Sequence, residues 1–435
     1  MYGTGAHQAQ RIASLRRRAR GLRELRTFVG IPRGPSDLSR TQWMSIEAVL
    51  GAAADRIETR LDTVARVGLL ETHEIGGRRR VASEVGRSEL ELASSYAIFD
   101  TFMDVLTQRA SPWLGALLKG CDVLALDAMR SEQHPALALA SAPIVYLNRG
   151  FGAAILRSGV SLAPAAKSPM PLVQIPYARL QEKYHLSSLV HEVGHETLVR
   201  LGLRSPLVRA VREGLDGRVA PAVRDACAVW MNELGPDFWA FGCCGAAHAL
   251  TVRDALALPS RVTYDVRPNA VHPPVWFRTM IAFDWCRRAF GRGEWDDWER
   301  RYLQLFPLAL APAKDRAFLD VALREAVPRI GDVLFGRRFP TLDRRTLADL
   351  FDLARLHPLR LSRALHGAKT TSAAFRTERP TTQLAAFRWM RERSDISESR
   401  LDEAMSTWLR GLSPSSRRTP TETDRGRTWP ATSRA

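Results

Sequence analysis

The chain is poor in cysteine. Five are scattered over 435 residues, at Cys121, Cys227, Cys243, Cys244 and Cys286, and no two are spaced Cys-x-x-Cys. That argues against a disulfide framework and fits a reducing compartment. The neighbours Cys243 and Cys244 cannot easily chelate one zinc and read as core. Long apolar runs are also missing. With no stretch of roughly 18 uncharged apolar residues, no membrane span is expected. The basic N-terminus is followed by neither an apolar segment nor a small-residue cleavage site, so the expected address is the cytoplasm. Acid is outweighed by base, 46 Asp and Glu against 63 Lys and Arg, for a net charge of +17. Such a surplus permits a nucleic-acid or acidic-membrane partner, but an arginine-rich enzyme carries the same number. Length and apolar content leave room for a sizeable core and two or three domains.

Histidine is scarce as well, with 10 in the chain. Two of them stand in His191-Glu192-Val193-Gly194-His195, an H-E-x-x-H pattern flanked by Leu189-Val190 and Leu198-Val199. On a helix, positions i and i+4 share a face, so both imidazoles can reach one metal while Glu192 sits one position round. Apolar flanks predict a buried helix, and buried His and Glu need partners. Zinc suits the set, since it takes imidazole and carboxylate ligands and a three-ligand site leaves a position for water. The spacing therefore predicts a hydrolase with Zn2+ as cofactor, His191 and His195 as ligands and Glu192 as general base.

A third ligand has to come from further along. Many zinc peptidases place glycine and histidine three and six residues after the second His, but this chain has Leu198 and Leu201 there. The next candidates are Glu233 and Asp237, four apart and so on one helical face. Gly235-Pro236 lies between them, and proline removes a helix hydrogen bond. A kink or restart there would leave Asp237 as the ligand, and His272 is a further alternative. Beyond them runs His272-Pro273-Pro274, with Arg278 following.

The order H-E-x-x-H, E-x-x-x-D, H-P-P…R, over roughly residues 170–290, resembles the glutamate zincins (gluzincins) and, among them, the HtpX-like peptidases. The resemblance implies Glu233 as third ligand, Asp237 as the acceptor that orients a ligand imidazole, His272 as a donor to the developing oxyanion, and Arg278 as a clamp on a site carboxylate or carbonyl. Those relatives carry membrane helices and this chain does not. The combination with an N-terminal helix-turn-helix is also similar to the ImmA/IrrE-like regulators, whose third-ligand segment lies closer to the metal helix.

The remaining chain is read around this core. Residues 8–28 predict a basic helix, broken at 30–36. Helices over 37–49 and 53–67 lead to Gly68-Leu69-Leu70, then to two strands, 71–75 and 78–81, around Gly76-Gly77. That module resembles a winged helix-turn-helix with Arg78, Arg79 and Arg80 on its wing, although Asp55, Glu58 and Asp62 on the recognition helix oppose a DNA groove. Residues 89–118 predict a helix interrupted at Ser111-Pro112. Strands are expected at 122–126, 143–147 and 172–175, the last an edge strand because Pro176 ends it and able to pair with an extended peptide. Helices are expected at 295–303, 316–327, 346–356, 384–393 and 397–409, with a disordered tail over 413–435. The expected fold is thus α+β and predominantly helical. It comprises an N-terminal winged-helix-like module (1–90), a zincin-like domain (91–295) with a small sheet beside the metal helix, and a C-terminal helical region (296–412). The expected function is peptide-bond hydrolysis on a peptide or protein substrate. The alternative is a DNA- or protein-binding regulator with a non-catalytic core.

Overall fold

A computed structural model describes residues 4–30, 38–71, 75–130, 134–138, 141–148, 152–163, 166–255, 258–267, 269–366, 378–394 and 396–412. The protein is predominantly helical with a small sheet.

Apolar residues at helical spacing build the N-terminal third. Helix α1 (Thr4–Gly21) packs on α2 (Arg40–Glu71) and α3 (Ile75–Ala110). Ile12, Leu15 and Ala19 meet Ile57, Leu61, Val85 and Leu92 in one buried cluster. The polar faces pair across the helices: Arg16 with Asp62 at 2.5 Å, Arg18 with Glu89 at 2.7 Å, Arg20 with Glu58 at 3.1 Å and Arg23 with Asp55 at 2.5 Å. The acids expected to repel DNA therefore bind arginines of α1 and of the 3-10 turn, Leu22–Glu24, that follows it.

The winged-helix reading is corrected here. Residues 75–81 belong to the long helix α3, so the second strand and the basic wing do not form. Residues 72–74 of the first expected strand lie outside the described residues. The cause is visible in the packing: Gly77, Val81, Val85, Ser88 and Leu92 are buried at helical spacing along one side of α3. Packing along that stripe outweighs the turn preference of Gly76-Gly77.

Helix α4 (Pro112–Met129) begins where Ser111 Oγ accepts from the Leu114 N–H, with Pro112 just inside the start. It includes residues 122–126, which were expected as a strand. Leu117, Leu118, Cys121, Leu124, Ala125 and Ala128 are all buried, so the apolar run is that of a helix enclosed on most sides.

Strands β1 (Ile144–Asn148), β2 (Ala154–Leu156) and β5 (Leu172–Pro176) form a sheet in the order β1-β5-β2. β1 runs parallel to β5 and β2 antiparallel to it. β3 (Ser161–Ala163) and β4 (Ala166–Lys167) form a separate hairpin. The strand ending in Pro176 is thus central rather than at the edge. β2 pairs only with residues 172–174, so the missing N–H of Pro176 falls beyond the end of β2. Alternation splits the sheet's faces: Val145, Val173 and Ile175 enter the main core, whereas Ile144 and Leu172 join the N-terminal cluster.

The outer edge of β1 is closed by side chains. Gln108 donates to the Leu147 carbonyl and accepts from its N–H, at 2.8 and 2.7 Å. The buried Arg109–Asp122 pair does the same for Val145, at 2.8 Å to each group. β2 has no strand on its outer side among the described residues.

Residues beyond 295 share the main core. Trp298, Tyr302, Leu319, Ile330, Leu384, Leu401 and Leu409 lie in one buried cluster with Leu189, Val190 and Val193 of the H-E-x-x-H helix. A seam at 295/296 would cut that cluster, and one at residue 90 would cut α3. Residues 346–356 form two short 3-10 turns, Ala348–Leu350 and Leu353–Leu356, instead of the expected helix. Asp349 and Asp352 each accept a backbone N–H there, from Thr346 and Arg355, a local bond that favours turns over helix. The expected tail, 413–435, lies outside the described residues. No helix of the described residues is long and apolar enough to cross a membrane.

Candidate metal centre

Two helices build the site. Helix α5 (Ser187–Arg200) carries His191, Glu192 and His195, with Leu189, Val190 and Val193 buried beneath them. Gly202, at φ 67, follows its end in the left-handed region where L side chains are strained. After helix α6 (Arg204–Leu215), helix α7 (Pro221–Cys244) crosses α5 and carries Glu233 and Asp237. Pro236 does not end α7, which continues to Cys244, so Glu233 and Asp237 keep their one-turn spacing.

Glu233 lies between the two imidazoles. Its Oε2 is 3.4 Å from His191 Nε2 and its Oε1 is 3.8 Å from His195 Nε2. The rings stand nearly perpendicular, at 87°. The three potential ligand atoms lie within 4.8 Å of one another. Ligands about 2.1 Å from a tetrahedral zinc are about 3.4 Å apart, so this donor set fits the ion in both spacing and chemistry. Asp237 faces the far side of His191, with Oδ1 2.7 Å from Nδ1. It is not in the triad. Arg278, on helix α9 (Val275–Phe290), grips Asp237 through two hydrogen bonds of 2.9 and 2.7 Å. Pro274 is the residue at which α9 starts, so the Pro-Pro turn positions Arg278 one turn later.

His272 sits on the rim. Its Nδ1 is 3.3 Å from Glu233 Oε2, while most of the side chain is exposed. Glu192 is buried and lines the same cleft, a space of about 330 Å3 bounded by β2, α5, α6, α7 and the Val271-His272 rim.

Comparison with known protein families, characterised proteins and solved structures returns no match.

The electrostatics follow from burial against charge. Burial opposes a charged His191, but the field and hydrogen bond of Asp237 and the bond to Glu233 outweigh it and hold the imidazole up at about 10. Burial, reinforced by the charge of His191, drives His195 down to about 4. Burial pushes the Glu192 carboxyl up, and the nearby Glu233 carboxylate adds to this. Burial would raise Asp237, yet Arg278 and His191 hold it well below the usual carboxylate range.

A pH dependence follows. A pKa near 10 leaves His191 its second proton at neutral pH, and a metal taken up at Nε2 would have to displace it. Zinc binding at pH 7 is therefore expected to release about one proton per chain, and affinity to rise with pH, about tenfold per unit, until His191 deprotonates near 10. Titration calorimetry in two buffers of different ionisation enthalpy measures the proton count; a count near zero contradicts the His191 assignment.

Three contributors carried no usable sequence signal. His248, buried on helix α8 (Ala246–Ala255), puts Nε2 3.4 Å from Asp237 Oδ1 and Nδ1 3.2 Å from Ser187 Oγ. Arg204 is held by Asn232, the neighbour of Glu233. The sheet edge that has no partner strand among the described residues is β2, three residues long and preceded by a glycine-rich stretch. A lone His, an Arg at a helix start and a three-residue strand are each too common to single out without coordinates.

Proposed function

We propose that this protein is a zinc-dependent peptidase of the gluzincin type. The observation that carries the reading is Glu233 set between His191 and His195 at zinc-ligand spacing, with Glu192 beside them in an open cleft.

His191, His195 and Glu233 would hold the ion, which when bound lowers the pKa of a water and polarises a carbonyl. Glu192 accepts the proton of the attacking water and passes it to the leaving amine nitrogen; a carboxyl with a raised pKa suits both halves of that shuttle. Asp237 takes the Nδ1–H of His191, which fixes the tautomer and leaves Nε2 for the metal. Arg278 keeps Asp237 ionised and aimed. The outer edge of β2, which pairs with no strand among the described residues, would offer an extended peptide main-chain partners. His272, on the rim of the same cleft, would donate to a carbonyl oxygen as it gains charge.

The first test is metal content. Elemental analysis after dialysis is expected to find one zinc per chain, and His195→Ala to retain none while α5 stays folded by circular dichroism. Wild-type protein that binds no zinc at all ends this reading.

A further inference from the structure

Two arginines line the cleft with positive charge that the His191–His195–Glu233 triad does not use. Arg204 opens α6, and Arg157 directly follows β2. Among the described residues the only carboxylates lining the cleft are Glu192 and Glu233, which the peptidase reading assigns to the metal chemistry. Among the described residues neither arginine is paired with a carboxylate.

Arg204 is nonetheless held in place. Asn232 Nδ2 donates to the Val229 carbonyl of its own helix at 2.7 Å, which fixes the amide. Its Oδ1 then accepts from Arg204 Nε at 2.8 Å. This arrangement orients a guanidinium without neutralising it. Nη1 and Nη2 stay available, and two parallel N–H groups match a carboxylate. A surface arginine kept for stability is more simply served by an acid, as Arg224 is by Asp216 and Asp225 on the neighbouring turn. A neutral anchor keeps the full charge for an incoming group. Leu198, Leu207 and Met231 give the same cleft apolar lining.

We propose that Arg204, supported by Arg157, binds a carboxylate of the peptide substrate next to the scissile bond, so that the enzyme selects acidic sequences. The proposal rests on the peptidase reading. The carboxylate has two possible sources, an internal Glu or Asp side chain or the free C-terminus of the substrate, which correspond to endopeptidase and carboxypeptidase action.

The test reads binding, not turnover. Zinc-loaded full-length Glu192→Gln is titrated with coumarin-labelled hexa-alanine peptides, followed by fluorescence anisotropy. In one arm both ends are blocked and one Ala is replaced at each position in turn by Glu, Gln or Lys. In the other arm an all-Ala peptide carries a free or an amidated C-terminus. In at least one register, Glu is expected to bind about tenfold tighter than Gln, as one charge-assisted pair supplies. A like gain confined to the free C-terminus would assign the carboxypeptidase source instead. Arg204→Gln should remove the gain, and Arg204→Glu should transfer it to the Lys peptide, a switch that misfolding cannot produce. The proposal is overturned if no peptide binds, if Glu and a free C-terminus bind no tighter than their neutral counterparts, or if the gain survives in Arg204→Gln. Hydrolysis by the wild type is scored separately. An active peptidase indifferent to charge refutes only the carboxylate site, whereas an acid-selective protein that cleaves nothing refutes only the peptidase reading.

Discussion

Glu192→Gln is expected to keep one zinc per chain and to hydrolyse peptides roughly 100- to 10,000-fold more slowly, the range typical for removal of a general base. Glu192 is adjacent to the triad but not one of its three donors, and it lines the cleft beside His195. Glutamine preserves its shape and removes only its ability to take a proton. The informative measurement compares cleavage of a proteome-derived peptide library by wild type and variant using mass spectrometry, with zinc content recorded in parallel. A narrow-specificity enzyme can leave casein-type substrates untouched, so a library is required. Equal cleavage by both proteins would attribute the activity to something else, and loss of zinc together with activity would make Glu192 a ligand.

The second large effect concerns a residue with no side chain. A Cβ at position 194 would lie 2.9 Å from Pro236 Cα, 3.1 Å from the Pro236 carbonyl oxygen and 3.1 Å from Trp239 Cβ. None of these atoms can swing aside, so Gly194 lets α5 and α7 touch backbone to backbone. Glu233 is less than one turn before Pro236, and its place between the imidazoles depends on that approach. Gly194→Val is expected to push α7 outward, weaken zinc binding on the order of 100-fold and destabilise the fold by about 1–3 kcal/mol. Gly235→Ala is the control. Its Cβ would meet the tip of Leu198 at 2.9 Å, a flexible methyl that can rotate away, so zinc should be retained. Competition with a chromogenic chelator measures both, and equal affinity in Gly194→Val and wild type would refute the helix-crossing argument.

Side-chain periodicity made part of this protein legible in advance. The apolar residues flanking His191 and His195 point to a buried helix, and Leu189, Val190, Val193 and Leu198 are buried. The spacing of Glu233 and Asp237 places them on one face, and the structure brings both to His191. What sequence could not show is which elements close over which. Gly76-Gly77 has the local chemistry of a turn, and only the packing of α3 against α1 and α2 makes it helix. The apolar run from Asp122 to Leu126 has the length of a strand, whereas Asp122 is the buried partner of an arginine thirteen residues earlier. Pro176 suggested an edge because a ladder lacks its N–H, but how far β2 extends beside β5 is a tertiary fact.

The capping of β1 gives the sheet a direction of growth. With Gln108, Arg109 and Asp122 occupying hydrogen-bonding positions of one border, the border without a partner among the described residues is that of β2. That border is also a wall of the metal cleft. A chain that lengthened the sheet there would lie along the cleft that His195 and Glu233 also line. Here sheet growth and access to the metal site would be a single event.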